Sequence, residues 1–219
     1  MKYGNTNLPE NVRAFLEEII DDEELCDAFY SRDVEIYDED WVKDLEDNFQ
    51  QEFEELMGPG DSSYKNIKAF ARDGTGALWV VLDDELIGYI STEGECGIVS
   101  RNINEFMNII AALKGSSLLF DFWDVDTLKS EEAFIDAYNE SEEDDETDYN
   151  EVFDKFINKH GFTHDLKTIY EYIVKGLTVQ PFFQVIATDD DYVDSDSVLG
   201  PIGAGQEQLE ALIDALTTE

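Results

Sequence analysis

Basic residues are scarce in this chain: 14 lysines and arginines stand against 53 aspartates and glutamates, leaving a formal net charge of −39 at pH 7. Phosphate surfaces are held by lysine and arginine, so the shortage argues against direct binding of nucleic acid or of an anionic membrane. Basic partners are instead attracted, at rates that fall as salt rises. Cysteine is nearly absent as well. Cys26 and Cys96 lie far apart in no Cys-x-x-Cys arrangement, which excludes a disulfide scaffold and reads as two packing thiols in a reducing compartment. The two histidines, His160 and His164, would share a helix face only if the helix ran through Gly161. No glutamate occupies the metalloprotease position between them, so no metal site is expected, and neither histidine sits in a nucleophile motif. No apolar run approaches the roughly 20 residues of a membrane span, and residues 1–7 lack the apolar core of a signal sequence. A cytoplasmic protein without membrane contact is expected.

Material for a core is present, with 42% apolar and 12% aromatic residues. The informative stretch is 67–113. Short β-branched and aromatic runs are separated there by Asp73-Gly74, by Asp83-Asp84-Glu85 and by Glu93-Gly94, turn residues that tolerate tight or left-handed backbone. Three or four consecutive antiparallel strands are expected. Asn102 then caps a helix, with Glu105 placed to reach back to it, and Ile103, Phe106, Met107, Ile110, Ala111 and Leu113 share one face that should lie on the meander.

The order Phe70-Ala71-x-Asp73-Gly74-x-Gly76, strand, acidic turn, strand, Glu93-Gly94 and a capped helix through Glu105-Phe106-Met107 resembles the SUKH superfamily. Its members include yeast regulators of glucan synthesis and cell-wall assembly and many bacterial immunity proteins. The resemblance implies one SUKH-like domain over residues 1–219: a helical segment 8–57, the meander and its helix 62–114, an acidic loop 140–148 and a helical extension 149–219. The fold expected is α+β, a mostly antiparallel sheet of about four to six strands built on the 67–100 meander, with helices packed around it.

Outside the meander the patterns are helical. Val12, Phe15, Leu16, Ile19 and Ile20 follow Pro9 at helical spacing, and Leu25, Ala28 and Phe29 begin a second helix. Trp41, Val42, Leu45, Phe49, Phe53 and Leu56 mark a longer helix from about Asp38 to Gly58. The run Ser117-Leu-Leu-Phe-Asp-Phe-Trp123 reads as a strand or buried extended segment, followed by a short helix with Phe134, Ala137 and Tyr138. Two further helical stripes close at Gly161 and Gly176, residues 178–187 are β-rich with Pro181 confining any strand to an edge, and Leu209, Leu212, Ile213 and Leu216 mark a last helix.

Other constellations offer little chemistry. Asp189 to Asp196 has the oxygen density of a calcium loop without its glycine or distal glutamate, which leaves a solvated loop able to bind stray divalent ions. The glycines at 200, 203 and 205 precede a helix but are followed by no P-loop lysine and flanked by acids, and nothing singles out a carboxylate pair for glycoside hydrolysis. No cofactor and no catalytic residue are expected.

The resemblance implies a non-enzymatic immunity protein that neutralises one basic bacterial toxin, such as a nuclease, through its acidic surface. The residues assigned to that surface are Asp83, Asp84, Glu85, Glu93 and Glu95 along the meander, with Asp121, Asp124 and Asp126 beyond it. A regulatory scaffold like the yeast members is the alternative from another class, and a nucleic-acid mimic is a third.

Overall fold

The structure, a computed structural model, describes residues 7–36, 49, 51, 53–115, 119, 124–143, 150–189, 194–197 and 210–214. Helices α1 (Glu10–Ile20) and α2 (Glu23–Tyr30) lead into strand β1 (Glu35–Ile36). Strand β2 (Gly60–Ser62) precedes the meander β3 (Ile67–Arg72), β4 (Leu78–Leu82), β5 (Leu86–Ile90) and β6 (Glu95–Ser100). Helices α3 (Ile103–Ala112), α4 (Val125–Leu128), α5 (Glu131–Glu143), α6 (Glu151–His160) and α7 (Leu166–Leu177) follow, then β7 (Val185–Ala187) and β8 (Asp196–Ser197). Among the described residues the main sheet has six strands in the order β1-β3-β4-β5-β6-β8; every pairing is antiparallel except β6 with β8, while β2 and β7 pair separately. This is the α+β architecture expected.

Turn chemistry drives the meander. Between β3 and β4 the Asp73 carboxylate accepts from the Thr75 amide at 2.8 Å, the Thr75 hydroxyl at 2.7 Å and the Ala77 amide at 3.1 Å, so one side chain closes the Asp-Gly turn. Between β4 and β5, Asp83 and Asp84 both take left-handed backbone, φ 48° and 66°, and the Glu85 amide donates to the Leu82 carbonyl at 3.1 Å. Two left-handed central residues are what a tight hairpin turn matched to strand twist requires.

Every residue of β4 is buried, so both faces of the sheet are covered. On one face Trp79 and Tyr89 stand directly opposite each other, ring centroids 4.7 Å apart, and Trp79 meets Phe106 of α3 at 5.0 Å. A bulge between Ala69 and Ala71 leaves Phe70 unpaired in the ladder, and its ring packs edge-on against Phe106 at 5.9 Å. Each such aromatic pair adds about 0.5–1.5 kcal/mol beyond the area it buries. Elsewhere Cys96 Sγ donates to the Phe183 carbonyl at 3.3 Å, which ties β6 to the segment leading into β7.

The cap of α3 differs from expectation in one detail. Asn102 Oδ1 accepts from the Glu105 amide at 3.0 Å, as the pattern requires, but the Glu105 carboxylate accepts from the amide and guanidinium of Arg101 instead of the Asn102 amide. A cation one residue upstream offers the buried Glu105 both charge and hydrogen bonds, which a lone amide does not.

The C-terminal helices join the same buried cluster as the N-terminal ones. Phe29 of α2 meets Phe153 and Phe156 of α6 edge-on at 5.2 and 5.5 Å, and Asn108 of α3 accepts from the Thr163 amide at 2.8 Å. Gly161, φ 66°, caps α6 as the sequence indicates, so His164 lies beyond the helix end. Gly176 does not act as a cap. The helix runs through it to Leu177, and a Cβ there would sit 2.3 Å from the Val99 carbonyl oxygen, so the missing side chain lets α7 lie hard against β6.

Three further expectations are corrected. The acidic loop begins later than 140, because α5 continues to Glu143, glutamate being a good helix former; residues 144–149 lie outside the described residues. Of the run 117–123, Leu119 is described, and it is helical and fully buried instead of extended. The aspartate-rich segment is not simply a solvated loop: Asp194 accepts from the Ala187 amide at 2.9 Å, Ser195 Oγ accepts from the Val185 amide at 2.8 Å, and Asp196–Ser197 adds a parallel strand beside β6. Residues 190–193, the helix from Asp38 to 48, the glycines at 200, 203 and 205, Leu209 and Leu216 fall outside the described residues. Among those described, no helix is long and apolar enough to cross a membrane.

Candidate partner-binding surfaces

The meander acids divide between opposite ends of the sheet. Asp83, Asp84 and Glu85 occupy the β4–β5 turn, whereas Glu93 and Glu95 lie at the β5–β6 turn, separated by the five residues of β5, roughly 17 Å of strand. They form two separate turns and not one contiguous cluster of carboxylates.

Their local roles differ as well. Asp83 Oδ1 accepts from the Asn66 amide at 3.3 Å, and its own amide donates to the Asn66 carbonyl at 2.8 Å. Asp84 holds the Lys68 ammonium at 2.6 Å, and that hydrogen bond keeps its carboxyl below the usual range. Glu85 is exposed. At the other end, the Ser91 hydroxyl accepts from the amides of Glu93 and Glu95 at 3.2 and 3.0 Å, with Gly94 at φ 87° completing the turn. Glu93 projects into solvent and Glu95 is half-buried.

Beneath that second turn lies a polar contact the pattern of strands did not reveal. Tyr89 donates its hydroxyl to Asp73 Oδ2 at 2.6 Å, and both side chains are buried. Burial comes first in pushing the phenol's pKa up, followed by the hydrogen bond to Asp73 and the negative fields of Asp73, Glu95 and Asp33.

The remaining three candidates lie apart from the meander. Asp124 caps α4 by accepting from the Thr127 amide at 2.9 Å, and exposed Asp126 pairs with Lys129 at 2.9 Å. Asp121 lies outside the described residues.

No family model, curated protein or solved structure matches this chain.

A second acidic surface lies away from the meander. Seven of the eleven residues 17–27 are acidic, and they cover the corner where α1 turns into α2. Ile19, Ile20, Leu25 and Ala28 anchor that corner in the core, while Glu17, Asp21, Asp22, Glu23, Glu24 and Asp27 are exposed. Asp22 also caps α2, accepting from the Leu25 amide at 3.2 Å. Across from this corner stands α6, and between them runs an open groove of about 530 Å³. Glu18, Asp21, Asp22 and Glu24 line one side, Lys155 and Lys159 the other, and Leu25, Val152 and Phe156 supply its apolar lining.

One end of the groove is clasped. Glu18 receives Lys159 Nζ at 2.8 Å and lies 3.1 Å from His160 Nε2 through both oxygens, while His160 packs against the rings of Phe15, Phe156 and Phe162. Partial burial works to raise the Glu18 pKa, but the hydrogen bonds and charges of Lys159 and His160 outweigh it and hold the carboxyl below its ordinary value. The signal for this surface was in the sequence as the run Asp21-Asp22-Glu23-Glu24, which reads equally well as the wet link between two helices. Among the described residues, no group of three or more histidine, cysteine, aspartate or glutamate side chains is arranged to hold a metal ion.

Proposed function

We propose that this protein is a non-enzymatic binder that neutralises a basic protein, and that its target is a bacterial toxin, such as a nuclease, whose cationic face meets phosphate. The observation that carries the reading is the excess of 39 negative charges on a chain that nevertheless builds a closed aromatic core. Dense carboxylates on a folded scaffold steer a basic protein into contact and cover the surface it would present to nucleic acid. Affinity then comes from a few anchors set among those charges. The resemblance of residues 67–113 to SUKH immunity proteins points the same way.

The experiment is co-expression with the polypeptide encoded immediately upstream. Growth rescue, with a complex that forms at low salt and dissociates as salt rises, is the expected result. An upstream product that is harmless, or whose toxicity is unchanged by this protein, would overturn the toxin reading and leave the regulatory scaffold as the better account.

A further inference from the structure

Asp73-Gly74 is the one Asp-Gly pair in the chain, and no Asn-Gly pair occurs. An aspartate followed by glycine is a chemically labile link, because the glycine nitrogen has no neighbouring side chain to hinder it. That nitrogen attacks the aspartate side-chain carboxyl carbon and gives up its proton, a carboxyl oxygen leaves as water, and a cyclic succinimide closes. Water then opens the ring. Opening at the side-chain carbonyl restores aspartate, whereas opening at the main-chain carbonyl gives isoaspartate, in which the backbone runs through the former side chain. The water released is matched by the water consumed, and nothing is oxidised or reduced.

The fold blocks this step at the carboxyl group. Asp73 is only 3% exposed. Its Oδ1 accepts from the Thr75 amide, the Thr75 hydroxyl and the Ala77 amide at 2.8, 2.7 and 3.1 Å, and its Oδ2 accepts from the Tyr89 hydroxyl at 2.6 Å. Whichever oxygen departs must first lose those buried bonds, so ring closure waits for the hairpin to open. We infer that Asp73-Gly74 is a modification site held shut by its own turn: it isomerises to isoaspartate when the chain unfolds, and the converted chain is barred from refolding. Isoaspartate lengthens the main chain by a carbon and leaves its free carboxylate on Cα, a bond short of the four donors. It also displaces the Asp73 carbonyl that accepts from the Gly76 amide at 3.1 Å. The turn sets Arg72 opposite Leu78, and every residue of β4 is buried, so a hairpin closed in the wrong register cannot sit in this sheet.

The test incubates wild-type chain at pH 7.4 and 37 °C, in buffer and in about 6 M guanidinium. Isoaspartate at position 73 is followed by peptide mapping with electron-transfer fragmentation, which distinguishes the two linkages. Conversion should be at least about tenfold slower in the native chain, because only its open fraction reacts. After the denaturant is removed, isoaspartate should be confined to molecules that size exclusion resolves from the refolded protein. Native Tyr89→Phe, which keeps the ring and removes a donor, should convert at least about fivefold faster than native wild type. Equal rates in native and denatured wild type would overturn the inference, as would isoaspartate equally abundant in the refolded and unfolded fractions, or a folded Tyr89→Phe chain that converts no faster than wild type. The comparison of native with denatured wild type decides the matter even if the variant does not fold.

Discussion

Tyr89 and Asp73 show how much can depend on one pair of atoms. The Asp73 carboxylate is buried and satisfied only because three donors in its own turn and the Tyr89 hydroxyl surround it. Tyr89→Phe keeps the ring against Trp79 but leaves Asp73 Oδ2 without that donor, so it should cost about 1–3 kcal/mol, measured as a lower urea midpoint at unchanged slope. A midpoint equal to wild type would mean that solvent reaches Asp73 unaided. Cys96 gives a second prediction at this scale. Burial pushes its thiol up to about 12 despite the hydrogen bond with Ser195, whereas Cys26 is partly exposed. Iodoacetamide at pH 8 should label Cys26 first and Cys96 only when the chain unfolds, as peptide mass mapping would record.

At the scale of elements, the junction of α7 with β6 is the most exacting contact. Glycine inside a helix ordinarily costs up to about 1 kcal/mol relative to alanine, so Gly176→Ala would stabilise an unpacked helix. Here the added methyl meets the Val99 backbone at 2.3 Å, and a backbone cannot rotate away as a side chain can. The expected result is destabilisation by about 1–3 kcal/mol, seen as a lower thermal midpoint. A raised midpoint would show that α7 shifts freely on the sheet. The hairpin turn at Asp83-Asp84 is a contrasting case, in which local geometry and not packing sets the requirement: both residues take left-handed backbone, and Asp84 gains Lys68 in return.

For the whole molecule the governing quantity is charge. Carboxylates at −39 repel one another, so raising salt from 10 mM to 500 mM at pH 7 should raise the thermal midpoint by screening that repulsion, unlike a protein held by surface ion pairs. Acid acts in two directions. Protonating exposed acids relieves repulsion, but Glu18 has its carboxyl lowered in the folded state by Lys159 and His160. Its contribution is therefore fully present above the ordinary glutamate value of 4.5 and is lost as pH falls through the lowered folded value. Glu18→Gln should be less stable than wild type at pH 7, and the gap should close as pH falls below the ordinary glutamate value of 4.5 and through the lowered folded value. A gap independent of pH would place the role of Glu18 in packing alone.

What the sequence determined by itself was local. Asp-Gly, Asp-Asp-Glu and Glu-Gly turns between β-branched runs specified the meander, Asn102 started α3, and Gly161 ended α6, because backbone conformation and capping act within a few residues. Folding decided whatever required distant segments to meet. Gly176 reads as a helix stop until β6 lies beneath it, and Asp73 reads as a turn residue until Tyr89 arrives from two strands away. The acids along the meander look contiguous on paper, yet a strand's length places them at opposite ends of the sheet, while Asp21 and Glu24 come to line a groove only because α6, more than a hundred residues later, packs across from them. Charge is counted along the chain, but a binding surface is made by its arrangement in space, which chain order does not encode.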